Sequence, residues 1–318
     1  MKERTLGKDL KVSAVALGCM GMTHAYGAPS DEAEMTERIR EAFAIGYTMF
    51  DTADCYTGKN PDGSTAYNEE LVGKALKPFR DKAVIATKCG VFWDRDGKMI
   101  RDSSPASIRR SVERSLEKLQ TDHLDLYYQH RIDPDTEPET VAEVLAELIR
   151  EGKITHWGIS ETDEAYLRRA HAVCPVTAVQ NRYSMIARDT EKLFPVLEEL
   201  NVGLVAFSPL ANGFLSGAYT RADHFTDPLD YRSRMKQYTG EGFDAYQSLL
   251  SMLGKIAAKK NVTPAAVSMA WMISKKPYIV PIPGTRKSER LKENAGAGSV
   301  DLDREEIAEI DALLDQLA

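Results

Sequence analysis

Short apolar runs alternate with amphipathic stretches along most of the chain. Eight of these runs predict strands, at residues 14–18, 47–51, 83–88, 124–129, 155–159, 178–181, 203–207 and 278–282. Most of them are too apolar to show the alternation of a half-exposed strand, which is typical of parallel strands covered on both faces. The pattern therefore predicts a buried parallel sheet.

Between and after the strands, apolar residues recur at helical spacing. The first helix is predicted to begin near Ser30 or Asp31 and to end at Gly46. With Asp31 as the N-cap, Glu34 falls at the capping-box position. Further helices are predicted at residues 69–76, 105–119, 138–150, 164–172, 190–200, 245–260, 264–274, 288–294 and 303–317. Before the first strand, residues 4–13 alternate around a Gly-Lys-Asp turn and predict a small hairpin.

This order of elements predicts an α/β fold. Eight strand–helix units in 318 residues fit a (β/α)8 TIM barrel with an N-terminal β-hairpin and additional C-terminal helices. We expect residues 1–318 to form a single domain, because no linker or change of composition divides them. The main alternative is an open doubly wound sheet, which would place a Gly-rich turn after its first strand. Residues 17–22, Leu-Gly-Cys-Met-Gly-Met, lack the third glycine of that motif.

Charge and cysteine content narrow the classes of function. The formal charge of −7 argues against a broad nucleic-acid-binding surface, so an anionic ligand would need a local basic cluster. No apolar signal region follows Met1 and no run reaches the length of a membrane span, from which we expect a cytoplasmic protein without a membrane partner. Cys19, Cys55, Cys89 and Cys174 form no C-x-x-C or His-rich pattern, which argues against a metal site or a disulfide framework.

Polar side chains stand where three consecutive predicted strands end. Asp51 ends the second strand, and Tyr56 lies in the loop after it. Lys88 ends the third strand, and His130 follows the fourth. Barrel enzymes form their active sites at the carboxyl ends of the strands. Each residue alone has an ordinary structural explanation, such as a turn cap or a solvated strand end. Together they predict a catalytic group.

Three segments carry a resemblance to a known family: Phe50-Asp51-Thr52-Ala53-Asp54-Cys55-Tyr56, Thr87-Lys88 and Tyr128-Gln129-His130-Arg131. They resemble the catalytic signatures of the aldo-keto reductases, (β/α)8 barrels that use NADPH to reduce aldehydes and ketones. The cofactor segments of that family are similar, in the same order, to Trp157-Gly158-Ile159-Ser160, Gln180-Asn181, Phe207-Ser208-Pro209-Leu210 and residues 283–294. The likeness extends over nearly the whole chain, and the combination of segments is what makes it specific.

The resemblance implies a role for each of the four polar residues. Tyr56 would be the general acid, because a phenol with an ordinary pKa of about 10 holds a proton at neutral pH. Lys88 would favour the phenolate and ease release of that proton, and Asp51 would pair with Lys88 and fix it in place. His130, in its neutral form, would orient and polarise the carbonyl oxygen. The implied reaction reduces a small-molecule carbonyl substrate to an alcohol, with a nicotinamide as the hydride source.

The same resemblance implies NADP(H) as the cofactor. Thr285, Arg286 and Arg290 would bind the adenosine 2′-phosphate, because a guanidinium matches a phosphate bidentately. Gly284 precedes a helix that Ser288 opens, and such a helix start suits an anion. The other implied contacts are Glu293 and Asn294 for the adenine; Ser208, Pro209, Leu210 and Gly213 near the pyrophosphate; and Met20, Asp51, Ser160, Gln180 and Phe207 near the nicotinamide. Glu161 and Phe207 stand where many relatives carry asparagine and tyrosine.

The stretch 211–242 is too long for a bare connection and is rich in aromatic residues. We expect it to fold over the cofactor or the substrate, and a disordered surface loop is the alternative. Candidate substrate-lining residues are Met22, His24, Tyr26 and Trp93. A pocket of this composition suits small aldehydes, ketones or planar aromatic carbonyls.

Two other functions stay open. A metal-dependent barrel hydrolase or isomerase could use Asp51, Asp54, His130 and Asp133 as ligands. The chain lacks a paired His-x-His after the first strand, and that function leaves Lys88 unexplained. The second is a regulatory subunit like the potassium-channel β subunits, which resemble this chain and bind the nucleotide as sensors. The oligomeric state is not predicted.

Overall fold

The barrel predicted from the sequence is the architecture of the protein. The computed structural model describes residues 1–223 and 225–317, in which eight parallel strands form one sheet in chain order. These barrel strands are Leu17–Gly18, Met49–Asp51, Val84–Cys89, Leu124–Gln129, Ile154–Ser160, Ala178–Arg182, Gly203–Phe207 and Ile279–Pro281. Bonds from Ala16 N to Pro281 O (3.0 Å) and from Gly18 N to Pro283 O (3.2 Å) join the last strand to the first. This closure excludes the open doubly wound sheet.

Glycine permits the close approach of backbone at this seam. A Cβ atom on Gly18 would lie 2.7 Å from the carbonyl oxygen of Ile282, and one on Gly284 would lie 2.9 Å from the carbonyl oxygen of Gly18. Any larger residue would force the first and last strands apart. The two glycines therefore allow the first and last strands to meet at the carboxyl end of the barrel.

The predicted N-terminal hairpin closes the opposite end of the barrel. Glu3–Leu6 pairs with Leu10–Ser13 in antiparallel register. Leu6, Leu10 and Val12 join the apolar side chains of the barrel interior in one buried cluster. Leu6 also packs against Gly203, the first residue of the seventh strand. Because the hairpin covers the amino ends of the strands, the carboxyl ends are left for a functional site.

The helices lie outside the sheet, and their buried apolar side chains pack against its outer face. Their bounds are Glu32–Ile45, Asn68–Leu76, Pro105–Leu119, Pro138–Arg150, Glu164–Val173, Phe194–Glu199, Gly240–Ala245, Gln247–Lys260, Pro264–Lys275, Ser288–Gly296 and Arg304–Leu317. Asp31 caps the first helix and accepts a bond from Glu34 N at 2.8 Å, as predicted. The Glu34 carboxylate pairs with Arg38. In the described part of the chain, no helix is long and apolar enough to cross a membrane.

Two predicted helices are interrupted, and the others match the observed bounds to within two residues at each end. Residues 190–200 form a 3-10 turn, Asp189–Leu193, and only then the helix Phe194–Glu199. Pro195 explains the change, because proline lacks an N–H and is tolerated only in the first turn of an α-helix. The helix predicted at 245–260 begins at Gln247, and Tyr246 separates it from a short preceding helix.

Two hairpins that the sequence analysis missed extend from the carboxyl ends of the second and third strands. Thr57–Lys59 pairs with Thr65–Tyr67, and Val91–Trp93 pairs with Met99–Arg101. The turn of each hairpin contains Asp-Gly, at residues 62–63 and 96–97, and both glycines have a left-handed backbone. Asp-Gly is a hairpin signal, so these elements could have been found.

The stretch 211–242 packs through its aromatic side chains. It contains the 3-10 turns Ala211–Ser216, Tyr231–Arg234 and Lys236–Tyr238. The ring centroid of Tyr238 lies 5.6 Å from that of Phe214 and 4.8 Å from that of Phe225. The described residues of the stretch therefore fit the packed loop, not the disordered alternative; His224 lies outside the described residues.

Candidate active site

A cavity of about 680 Å³ opens at the carboxyl ends of the strands. It is lined by Asp51, Tyr56 and His130, and also by Thr285 and Arg290. The predicted substrate-lining residues also reach it: Met22, His24, Tyr26 and Trp93. The barrel thus joins the predicted catalytic group and the predicted basic segment in one space.

Lys88 lies behind the cavity wall and is fully occupied by hydrogen bonds. Its ammonium Nζ donates to Asp51 Oδ1 at 2.5 Å, to the carbonyl oxygen of Thr52 at 2.7 Å and to Tyr56 Oη at 3.3 Å. An ammonium has three donors, and each has a partner here. The parallel strands place the groups together, because Asp51 pairs with Ala86, two residues before Lys88 on the third strand.

The Asp51 carboxylate accepts from two sides. Lys88 binds one oxygen, and Gln180 Nε2 donates to the other at 2.7 Å. Burial raises the pKa of Asp51, while Lys88 and then Gln180 act in the opposite direction. Gln180, which the resemblance placed at the nicotinamide amide, therefore also fixes the orientation of Asp51.

Tyr56 lies between Lys88 and His130. Its ring meets that of His130 edge-on, with centroids 5.7 Å apart, and stacks on His24 with centroids 5.9 Å apart. Burial raises the pKa of the Tyr56 phenol well above its ordinary value, and the Asp51 carboxylate adds to this. From the sequence, Lys88 is expected to lower the pKa of Tyr56 by favouring the phenolate. Removal from water disfavours the phenolate more strongly, so the net shift is upward. The phenol holds its proton at neutral pH.

The surroundings of His130 disfavour its charged form. Burial lowers its pKa well below the ordinary value, and the neighbouring cations Lys88 and Arg131 lower it further. Its Nδ1 atom lies 3.4 Å from Sγ of Cys55. A neutral imidazole carries one N–H, so one ring nitrogen donates and the other accepts.

Most residues that the resemblance assigned to the cofactor line the same cavity. They are Met20, Asp51, Gln180, Phe207, Ser208, Pro209, Leu210, Gly213, Gly284, Thr285, Arg286, Arg290, Glu293 and Asn294. Ser208, Ala211 and Asn212 have left-handed backbone conformations that non-glycine residues rarely adopt. Such strain is common where backbone approaches a ligand. The predicted cofactor segments and the basic residues Arg286 and Arg290 therefore share one cavity.

Two predicted cofactor residues do not line the cavity. Ser160 is fully buried, and its hydroxyl accepts from Arg131 Nη1 at 3.1 Å. Ser288 donates to the Glu41 carboxylate of the first helix. Arg131, not Ser160, therefore lines the cavity beside the fifth strand. The hydroxyl of Ser288 is turned towards the first helix.

The two arginines of the basic segment differ in their contacts. Arg286 donates through Nε to the carbonyl oxygen of Gly21 at 2.5 Å and through Nη2 to that of Tyr26 at 3.2 Å. Burial lowers its pKa. Arg290 lines the cavity one helical turn further on. Within the described residues, the guanidinium of Arg286 donates to backbone carbonyls and that of Arg290 does not.

The whole-chain comparison agrees with this geometry. Residues 14–315 match the model of the Aldo/keto reductase family. The chain belongs to the aldo/keto reductase family. The family predicted from the catalytic and cofactor segments is confirmed, and the protein is an oxidoreductase of that family.

Individual relatives of this family member cover nearly its full length. It is 38% identical over 308 residues to Probable aldo-keto reductase 1 of Glycine max, across 95% of this chain and 86% of the relative. A solved glycerol dehydrogenase from Gluconobacter oxydans is 28% identical with a TM-score of 0.88, over 99% of this chain and 96% of that one. The holo form of an aldo-keto reductase from Bacillus halodurans is 28% identical with a TM-score of 0.77, over 98% and 96%.

The acidic residues offered for a metal site in this aldo/keto reductase are engaged elsewhere. Asp54 pairs with Arg114 at 2.6 Å and with Lys118 at 2.7 Å. Asp133 accepts from the backbone N–H of Ser103 at 2.8 Å. Within residues 1–223 and 225–317, no group of three or more His, Cys, Asp or Glu side chains is arranged to hold a metal ion. Asp54 is therefore paired with two cations of the helix Pro105–Leu119.

Sequence reasoning missed Arg131 as a lining residue of the reductase cavity. Its guanidinium also donates to the carbonyl oxygen of His130 at 2.6 Å and lies 6.0 Å from the ring centroid of Phe207. The signal was available, because Arg131 directly follows His130 at the end of the fourth strand. Asn212 and Arg232, which also line the cavity, lie in the irregular stretch and carried no comparable signal.

Proposed function

We propose that this aldo/keto reductase transfers a hydride from NADPH to an aldehyde or ketone, and that Tyr56 protonates the resulting oxygen to give the alcohol. The observation that carries the proposal is the placement of the Tyr56 phenol 3.3 Å from Lys88 Nζ at the wall of an open cavity. A positioned proton donor contributes typically about 10²–10⁴-fold to such a reaction.

The residues divide the work of proton transfer. Tyr56 keeps its proton until charge develops on the substrate oxygen, because burial holds the pKa of the phenol high. Lys88 then stabilises the phenolate that forms, since its ammonium already lies within hydrogen-bond distance. Asp51 fixes Lys88, and neutral His130 donates a hydrogen bond to the same oxygen. When bound, the nicotinamide supplies the hydride that no side chain can provide.

The basic end of the cavity supports NADP(H) as the form that binds. We assign Arg290 and Thr285 to the 2′-phosphate, with Arg286 holding the loop of Gly21 and Tyr26 against the same end. Glu293 and Asn294 lie in the same helix and line the cavity beyond Arg290. A phosphate in this position gains charge-assisted bonds that a free ribose hydroxyl does not.

The test is NADPH oxidation followed across a panel of aldehydes, ketones and quinones, with the Tyr56→Phe variant as control. We expect turnover by the unchanged chain, and loss of most turnover in the variant with NADPH binding retained. Equal turnover by the variant would remove Tyr56 as the acid. Tight binding of NADPH without turnover on any carbonyl would favour a regulatory subunit.

A further inference from the structure

Cys55 contacts the catalytic histidine directly. Its Sγ atom lies 3.4 Å from Nδ1 of His130, and both residues are 7% exposed. Cys55 also lines the cavity, immediately before Tyr56 in the chain. Nothing in the roles described above uses this thiol.

Both partners are uncharged at neutral pH. Burial raises the pKa of the Cys55 thiol to about 12, and the pKa of His130 is lowered by burial and nearby cations. A single hydrogen therefore lies between Sγ and Nδ1. Either the thiol donates to Nδ1, or Nδ1–H donates to sulfur, and the choice decides which ring nitrogen carries the proton.

The two arrangements have opposite consequences for the substrate. Nδ1 faces the thiol, so Nε2 is the nitrogen left for a ligand, and no described residue bonds to it. If Nδ1 carried the proton, Nε2 would present a lone pair to the lone pairs of a carbonyl oxygen, which repel it. If the thiol donates, Nε2–H is a donor, and the carbonyl oxygen is an acceptor.

We propose that Cys55 is a positioning residue: its thiol donates to Nδ1 of His130 and so keeps the ring proton on Nε2, where it meets the carbonyl oxygen of the substrate. This inference rests on the proposed function. Under this proposal, Cys55, the residue before the general acid Tyr56, sets the tautomer of His130.

The local structure holds the thiol in place for this role. The Cys55 carbonyl oxygen accepts from Trp93 Nε1 at 3.1 Å, and Tyr56 N donates to the Ala53 carbonyl oxygen at 3.1 Å. Ala53 and Val91 form a small apolar cluster with Cys55. The turn at residues 53–56 thereby positions both the phenol of Tyr56 and the thiol of Cys55 that contacts His130.

The direct test is the ¹⁵N NMR spectrum of histidine-labelled protein, assigned with a His130→Gln variant. We expect His130 to be protonated at Nε2 in the unchanged chain and in Cys55→Ser, because a hydroxyl can donate to Nδ1 as the thiol does. In Cys55→Ala we expect a mixture of the two tautomers. This measurement needs no substrate or cofactor.

Kinetics supply a second test. We expect Cys55→Ala to lower kcat for carbonyl reduction about 5- to 10-fold, the factor of one ordinary neutral hydrogen bond, with NADPH affinity unchanged. Cys55→Ser should recover most of that loss. Cys174→Ala removes a buried thiol on another face and serves as the matched control, without effect on kcat.

A His130 protonated at Nδ1 in the unchanged chain would overturn the proposal, even if Cys55→Ala failed to fold. An unaltered tautomer together with unaltered kcat in Cys55→Ala would overturn it as well. Protonation at Nε2 with no turnover on any carbonyl would support the thiol bond and contradict the proposed function, so the two failures are distinct.

Discussion

Lys88 and Asp51 form an ion pair that is almost completely removed from water. The Lys88 Nζ and Asp51 Oδ1 atoms are 2.5 Å apart, and the side chains are 0% and 4% exposed. A buried pair is a weak source of net stability, because desolvation offsets the attraction between the charges. Removal of one partner is costly, since the other is left as an unpaired buried charge.

The first prediction concerns this pair. Lys88→Met and Asp51→Asn should each lower the free energy of unfolding by about 3–5 kcal/mol. The double variant should lose much less than the sum, because it leaves no charge unpaired. Urea unfolding followed by circular dichroism measures all three. Additive losses would mean that the two charges do not depend on each other for stability.

The second prediction concerns the cofactor phosphate. Arg290→Ala should weaken NADPH binding about 10- to 100-fold, the range for a lost charge-assisted hydrogen bond, and leave NADH binding little changed. Fluorescence titration with each nucleotide measures the difference. Lys292→Ala is the matched control, because it removes the same charge from the same helix at a position that does not line the cavity. Equal losses of NADPH and NADH affinity in Arg290→Ala would remove the phosphate assignment.

The third prediction is a flat pH profile for reduction. The pKa of His130 is lowered below its ordinary value of 6.5, so the ring stays neutral above that pH. The pKa of Tyr56 is raised above 10, so the phenol keeps its proton below that pH. Between them, kcat/KM should be constant from about pH 6.5 to pH 9. A bell-shaped profile with a limb inside this window would contradict the protonation states assigned to these residues.

The location of the active site could be predicted because buried parallel strands have a simple pattern. Such a strand stays largely apolar until it leaves the barrel, so a charged residue at its carboxyl end marks the exit, as Asp51 and Lys88 do. The closed sheet then brings these exits to one edge. The strand pattern could not predict where the hydroxyl groups of Ser160 and Ser288 point, because their hydrogen-bond partners, Arg131 and Glu41, are distant in sequence.

The spacing of residues in the sequence also could not predict how far the phenol of Tyr56 is removed from water. From the sequence, Lys88 is expected to lie beside Tyr56 and to lower the pKa of its phenol. How completely water is excluded depends on the loops that cover the site, including the hairpin of Val91–Trp93 that the sequence analysis missed. Tyr56 is partly buried, and the loss of water around its phenol outweighs the attraction of one ammonium.

The last prediction concerns Glu69, a buried acid behind the site. Its Oε1 accepts from Thr87 Oγ1 at 2.7 Å, and Lys118 Nζ lies 3.9 Å from Oε2. Burial, followed by the nearby Asp54 carboxylate, raises the pKa of Glu69 from 4.5 to about 7. The folded protein therefore binds this proton more tightly than the unfolded chain does.

Linkage gives this shift a sign. The Glu69 carboxyl does not weaken the fold below about pH 4.5, destabilises it progressively as the pH rises to about 7, and has a constant effect above that. Glu69→Gln, which keeps an acceptor for Thr87, should remove a cost on the order of 3 kcal/mol at pH 8, because one pKa unit corresponds to about 1.4 kcal/mol. Urea unfolding at pH 5 and pH 8 measures it, with exposed Glu70→Gln as the matched control. A difference between Glu69→Gln and the unchanged chain that did not grow with pH would mean that Glu69 is ionised throughout this range.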